Sequence, residues 1–295
     1  MTGIDLSLFA IEVGEFGPVS VAGLSTRGGG VEGVRTVVAP SGIAWYNPEE
    51  MTVCCGASTP ISELRARLSE AGQFVALPDF GTVGGALATA SNSLFRLRHG
   101  PIRDSVLQIR LVTAQGEVAQ AGGPTVKNVS GFDLCRLLVG SHGTLGFIGE
   151  VILRTRPSLG AVRWFTGTDD PFVIRRSLYR PSSVLWDGKT TWVALEGHAC
   201  DVESEASRVR LEPVVGPPTF PPISSCVSPS DLRSVTSRMA PTSFVAELGT
   251  GIVHSSVLLA RPCIDASVVT LQQRIKTTFD PEGRLNPGRA PWEVR

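Results

Sequence analysis

The stretch Gly81-Thr-Val-Gly-Gly-Ala-Leu-Ala-Thr-Ala-Ser-Asn92, followed about fifty residues later by Gly140-Ser-His-Gly-Thr-Leu-Gly146, sets two glycine-dense segments between apolar runs. Glycine permits positive φ and has no Cβ, so successive backbone N–H groups can close around an anion or meet it at a helix N-terminus. Each segment alone also has an ordinary reading. Gly84-Gly85-Ala86 suits close packing of backbone on backbone, and Gly140, Gly143 and Gly146 suit a helix C-cap leading into a bulged strand. The combination carries the signal, and two such loops imply a large, phosphate-bearing ligand.

On the N-terminal side, Thr59-Pro60 reads as an N-cap with proline at the first helical position. Ile61, Leu64, Leu68 and Ala71 then recur at helical spacing up to Gly72. Further upstream, Val19 to Leu24 reads as a buried strand that ends at Ser25-Thr-Arg-Gly-Gly-Gly30, and Val34, Thr36, Val37 and Val38 predict a second extended segment. Gly28, Gly30 and Gly33 formally satisfy G-x-G-x-x-G. The β-branched residues that follow stop at Pro40, whereas a dinucleotide fingerprint needs a helix there. An anion-binding loop without a helix, or a plain connecting turn, fits better.

On the C-terminal side, Ser105 to Thr113 alternates and turns at Ala114-Gln-Gly-Glu117 into Val118, which predicts a hairpin with one buried face. A short helix fits Phe132 to Val139, and a strand fits Phe147 to Leu153. Past Pro157 one β-then-α unit stands out, Thr190 to Glu196 and Val202 to Leu211, before the proline-rich run from Glu212 to Pro222, read as a loose connector. A helix from Leu271 to Phe279 leads into the turn-rich Asp280-Pro-Glu-Gly-Arg-Leu-Asn-Pro-Gly-Arg289.

The 295 residues exceed one ordinary core, and the expected division is 1–157, 158–262 as a second lobe, and 263–295 returning to the first. Lys plus Arg and Asp plus Glu balance at 27 each, which supplies no long-range field for nucleic acid or an anionic membrane. No apolar run approaches the ~20 residues that cross a bilayer, so a cytoplasmic location is expected. Cys54, Cys55, Cys135, Cys200, Cys226 and Cys263 have no C-x-x-C spacing and are expected as reduced thiols. His99, His142, His198 and His254 form no metal-ligand pair, so no metal site is expected, and nucleophile-elbow and Walker A sequences do not occur.

In order along the chain, Leu24 to Gly30, Gly81 to Gly85, Gly100-Pro-Ile-Arg-Asp104, Lys127-Asn-Val-Ser-Gly-Phe-Asp133, Gly140 to Gly146 and Asp280 to Gly288 resemble the PCMH-type FAD-binding (vanillyl-alcohol oxidase) family. Within it the pattern is most similar to the FAD-binding subunits of bacterial glycolate oxidases. The likeness is good over residues 18–157 and 271–289 and loose between them.

The resemblance implies an α+β fold: a two-subdomain PCMH-type FAD-binding domain with a smaller α/β cap lobe. It implies FAD contacts at Ser25, Thr26, Arg27, Gly28, Gly29 and Gly30, and at Pro78, Gly81, Thr82, Val83, Gly84 and Gly85, around the pyrophosphate. Thr89, Ser91 and Asn92 would lie beside it, Gly143, Thr144, Gly146 and Ile148 on the adenosine side, and Asn286 near the flavin ring. Three departures stand out. The segment before Val19 is short, the first loop lacks the histidine that tethers flavin in some relatives, and the histidine and acidic cluster of the larger 2-hydroxy-acid dehydrogenases is missing. Noncovalent FAD follows, with an activity on a small 2-hydroxy acid that needs a second flavoprotein or an iron–sulfur subunit. His99, Arg98 and Arg289 are the scattered candidates for substrate chemistry, and no catalytic acid or base is assigned. A noncatalytic scaffold and a stand-alone sugar or alcohol oxidase are the alternatives.

Overall fold

The computed structural model describes residues 2–123, 133–158, 160, 162–260 and 264–290. The Lys127 to Phe132 part of the family pattern and Cys263 lie outside these residues. The chain divides into two compact units, Met1–Ser93 with Pro101–Ser158 and Ile264–Arg295, and Leu94–Gly100 with Leu159–Cys263.

In the first unit, Val19–Ala22 pairs in parallel with Arg35–Val38, Val19 opposite Arg35. The crossover between them, from Gly23 to Val34, contains no helix. A five-stranded antiparallel sheet runs in the order Ile43–Asn47, Thr52–Gly56, Phe147–Arg154, Val106–Val112, Val118–Gly122. The expected hairpin is there, Val112 opposite Val118. Val53, Cys55, Ile109, Val151 and Leu153 from this sheet share one core with Ile61, Leu64 and Leu68 of the helix Ile61–Ser69 and with Val83, Ala86 and Leu87 of the helix Val83–Ala88. Each fully buried aliphatic side chain contributes roughly 1.5–3 kcal/mol. Among the described residues no disulfide forms; Cys54, Cys55 and Cys135 are buried thiols, and burial pushes Cys54 up to about 12.

Thr59 does not cap the helix that follows it. Its hydroxyl is buried between two loops, where it accepts from Gly42 N at 2.9 Å and donates to Gly42 O at 3.1 Å. The helix starts at Ile61, whose N–H bonds Gly81 O at 2.9 Å. A nearby backbone loop thus outcompetes the local cap.

The C-terminal helix is longer than its apolar spacing suggests, Ala266–Phe279, because Asp265 accepts Ser267 N at 2.7 Å and starts it a turn and more early. Beyond it, Asp280 takes the N–H groups of Arg284 (3.0 Å) and Leu285 (2.8 Å) as well as the Lys276 ammonium, which also reaches Thr144 O at 2.8 Å. Leu285 bridges Val19 in parallel. Arg284, 4% exposed, donates to the carbonyls of Val13 (3.0 Å), Gly14 (2.7 Å), Phe16 (3.0 Å), Gly17 (2.9 Å) and Ala114.

The second unit is built on a seven-stranded sheet in the order Glu212–Val214, Val162–Gly167, Thr191–Glu196, Ser183–Trp186, Phe244–Glu247, Ile252–Ser255, Ile223–Cys226, every neighbour antiparallel. Residues of the helices Pro171–Ser177, Ala199–Arg208 and Leu232–Thr236 pack with Phe165, Val184, Val193, Phe244 and Val253 in one cluster; Trp164, Leu185, Ala194 and Val245 form another with Leu94, Phe95 and Phe220. Asp170, followed by proline at the first helical position, caps Pro171–Ser177 through Phe172 N at 2.8 Å. Glu212 to Val214, expected as loose connector, is instead the edge strand; a proline is tolerated there because an edge needs fewer ladder donors.

Leu94–Gly100 belongs to this unit although the sequence alone groups it with its neighbours in the first. His99 Nε2 lies 3.0 and 3.1 Å from the Glu196 carboxylate, and Arg98 lies 3.9 Å away. Burial alone would raise the pKa of Glu196, but the bonds from His99 and Ser182 and the Arg98 charge outweigh it and hold the carboxyl below its ordinary value. No described helix is long and apolar enough to cross a membrane.

Two outcomes follow from this architecture. Arg284→Met removes the buried contacts to the carbonyls of Val13 and Ala114 and is expected to destabilise the chain by about 3 kcal/mol or more, read from urea unfolding; a loss under about 1 kcal/mol would mean those carbonyls reach water. Glu196 titrates lower in the folded than in the unfolded chain, so its contribution is present above the ordinary value of 4.5 and fades as pH falls through the folded value. Glu196→Gln is therefore expected to flatten the acid limb of thermal stability below that pH, and an unchanged slope would show that the pair does not couple to folding.

Candidate functional site

The first unit contains a cleft walled by all three glycine segments. Val21 to Arg27 and Gly29 form one wall, Thr82, Gly84, Gly85, Ala88 and Thr89 another, and Ala39, Ala57, Ser58, His142, Gly143, Phe147, Ile148, Asn286 and Arg289 complete it. Thr82 caps the helix Val83–Ala88 by accepting Gly85 N at 3.1 Å, which brings the helix start to the cleft. His142 and Gly143 stand at φ +53° and +70°, a turn fixed by His142 N donating to Ala88 O at 2.8 Å.

Glycine is required here for close approach. A Cβ on Gly84 would lie 2.6 Å from Ala57 Cβ and 2.9 Å from Ala57 O, and one on Gly143 would lie 2.6 Å from Asn286 Nδ2. Gly85 differs: its φ is ordinary for any residue, and a Cβ would meet side-chain atoms alone, Thr82 Oγ1 at 3.0 Å and Arg27 Nη1 at 4.0 Å. The amides of Gly84 and Gly85 are moreover used internally, by Ala57 O and Thr82 Oγ1. This second segment shapes the cleft through packing, whereas the first offers free donors. Among the described residues, no backbone or side-chain acceptor is bonded to the N–H groups of Ser25, Thr26, Arg27 or Gly29.

Asn286, 4% exposed and at φ +43°, ties the walls together. Its Oδ1 accepts from Ser20 Oγ (3.0 Å) and Val21 N (3.1 Å), and its Nδ2 donates to His142 O (2.7 Å). Arg27 donates to Ser91 Oγ at 3.0 Å and Phe80 O at 2.9 Å and sits over the Phe80 ring. Arg289 donates to Gly28 O at 2.7 Å and Gly30 O at 3.1 Å. Neither arginine has a carboxylate partner among the described residues, burial lowers the pKa of Arg27, and no acidic residue lines the cleft. The site is therefore cationic and rich in N–H donors, a chemistry that selects an anion.

Of the residues expected at the cofactor, Ser25, Thr26, Arg27, Gly29, Thr82, Gly84, Gly85, Thr89, Gly143, Ile148 and Asn286 meet in this one cleft. The others stand behind it. Gly28 and Gly30 turn carbonyls to Arg289, Gly81 packs under Arg27 and Thr26, and Ser91 holds Arg27. Asn92 fixes the backbone through Ile102 N and Ala90 O, Thr144 donates to Ser141 O, and Gly146 at φ +152° packs on Leu111. Val83 is core, and Pro78 is buried outside the lining. Ala57, Ser58, His142 and Phe147, which the sequence does not mark as cofactor contacts, also line the cleft; of these only His142 lies within a glycine-dense segment. His99 and Arg98 are engaged with Glu196 in the second unit, while Arg289 clasps the glycine loop.

A family model described as FAD binding domain matches residues 18–122. The chain is 32% identical over 187 residues to glycolate oxidase subunit GlcE of Escherichia coli, covering 59% of this chain and 53% of that protein. It is 37% identical over 108 residues to a D-lactate dehydrogenase of Archaeoglobus fulgidus, covering 36% of this chain and 24% of that one. The chain thus matches about half the length of the first relative and a quarter of the second. Among solved structures, an alkyldihydroxyacetonephosphate synthase superposes with a TM-score of 0.64 at 17% identity, covering 96% of this chain and 73% of the other, which shows the shared fold. Residues 18–122 are an FAD-binding domain. That stretch is a domain of the PCMH type.

The unpaired loop amides and the two arginines without carboxylates fit the doubly negative diphosphate of FAD. The expected genetic consequence is unequal sensitivity of neighbouring glycines. Gly84→Ala and Gly143→Ala should each reduce flavin content per folded protein at least severalfold, whereas Gly85→Ala should retain most of it. Equal flavin content in all three variants would show that the close approaches at Ala57 and Asn286 relax freely.

Proposed function

We propose that the chain is the FAD-binding subunit of an oxidoreductase that acts on a small 2-hydroxy acid such as glycolate, with FAD held noncovalently. The cleft supports this reading most directly: among the described residues it combines unbonded amides at Ser25, Thr26, Arg27 and Gly29 with Arg27 and Arg289 and has no acidic lining residue. When bound, the flavin supplies the redox chemistry, accepting a hydride from the carbon that bears the substrate hydroxyl. The chain's residues bind and orient. The loop amides would hold the diphosphate, Asn286 ties the strand that leads into the loop, at Val21, to His142 in the turn before Gly143, and Val21, Ala57, Phe147 and Ile148 give an apolar wall that would keep water off the ligand. The first glycine loop carries neither histidine nor cysteine, which favours a noncovalent cofactor.

Turnover of a hydroxy acid also needs a group to take the hydroxyl proton and a cation for the carboxylate. Of the three candidates that the sequence offers for this role, His99 and Arg98 are engaged with Glu196 in the second unit and Arg289 is turned to the carbonyls of the glycine loop. A second flavoprotein or an iron–sulfur subunit therefore completes the catalytic unit, in keeping with a relative that is named as an oxidase subunit.

The purified chain is expected to be yellow, to release its flavin on acid precipitation, and to be bleached only slowly by glycolate or lactate without oxygen. A colourless protein that takes up no added FAD would overturn the cofactor reading. Bleaching at the rate of steady-state turnover would instead make the single chain a complete enzyme.

A further inference from the structure

The last residue of the Asn286-Pro-Gly-Arg289 run makes an unusual use of its charge. Arg289 spends one guanidinium nitrogen on two backbone carbonyls of the first glycine loop, Gly28 O at 2.7 Å and Gly30 O at 3.1 Å. In a trans peptide the carbonyl and the following N–H point in opposite directions. Holding Gly28 O on the guanidinium therefore turns Gly29 N–H away from Arg289, and Gly29 is the loop glycine that lines the cleft. The Gly30–Val31 peptide is pinned at both ends, since Val31 N donates to Ser20 Oγ at 2.8 Å while Gly30 O meets Arg289. Ser20 is in turn held by Asn286 at 3.0 Å. Gly28 and Gly29, at φ +93° and +60°, have little else to fix them: a glycine loop without such ties samples many conformations.

We infer that Arg289 is a positioning residue for cofactor binding, which presets the Gly28 to Gly30 loop so that its free amides converge on a diphosphate. Its effect passes through the carbonyls it clasps, and the charge it brings near the cleft is secondary. This rests on the reading of the cleft as the flavin site. A lysine places a comparable charge there, but its nitrogen sits one bond closer to the backbone than the Arg289 Nη2 that meets both carbonyls and cannot take the same position between them, so charge and geometry can be separated.

The test compares the full-length wild type with Arg289→Lys and Arg289→Met, after flavin removal, for binding of FAD, ADP and adenosine by calorimetry. Amide hydrogen exchange over residues 25–31 of the flavin-free proteins is followed alongside, with thermal melting as the check on folding. Both variants are expected to bind FAD and ADP roughly tenfold or more weakly, to leave adenosine affinity unchanged, and to exchange faster in the loop. Full recovery with lysine, or unchanged loop exchange in both variants, would overturn the positioning role in favour of direct charge. Wild-type affinity for FAD and ADP in both variants would remove any role for Arg289. Failure of the wild type itself to bind FAD would count against the flavin site, a result distinct from either.

Discussion

The buried Arg284 guanidinium, which gathers the carbonyls of Val13, Gly14, Phe16, Gly17 and Ala114, is the constraint on which the cofactor domain rests. Buried carbonyls need a donor, as those of Val13 and Ala114 do here, and one planar cation with several N–H groups serves them together with the neighbouring turn, joining the segment from Val13 to Gly17 to Ala114. Its position is fixed from the other side by Asp280, which takes the Arg284 and Leu285 amides. Between these two groups the Asp280 to Arg289 segment becomes rigid beside Val19. Leu285, Asn286 and Arg289 are thereby delivered to the core, the cleft wall and the glycine loop respectively.

The electrostatics of the cleft follow from composition as much as from fold. A chain with equal acidic and basic residues exerts no net long-range pull, so selectivity for an anion has to be local. It is achieved by leaving carboxylates out of the lining and by directing Arg27 and Arg289 to carbonyl and hydroxyl oxygens rather than to Asp or Glu. Neutral acceptors orient a guanidinium without cancelling its charge. The positive charge remains available to a ligand in surroundings where water screens it less than at the open surface.

Much of the first unit was legible because its signals are local. The Ile61, Leu64, Leu68 stripe, the hairpin around Ala114 to Glu117 and the β-branched run after the first glycine loop each announce their structure within a few residues. The glycine segments announced the cleft, and eleven of the residues expected at the cofactor meet there. What stayed hidden depends on distant partners. Thr59 looks like a cap until Gly42 arrives, Glu212 to Val214 looks like a linker until it finds the edge of Val162–Gly167, and the clasp of Arg289 on Gly28 joins residues at opposite ends of the sequence. The antiparallel sheet of the second unit was the least visible, since strands of four residues such as Ser183–Trp186 and Phe244–Glu247 are too short to show a period.

The central claim, that the amides of the first glycine loop hold the diphosphate of FAD, is tested most directly by a crystal structure of the flavin-loaded chain. Diphosphate oxygens within hydrogen-bond distance of the N–H groups of Thr26, Arg27 or Gly29, with Arg289 still on Gly28 O and Gly30 O, are the predicted result. A diphosphate bound away from this loop, with those amides left to water, would contradict it.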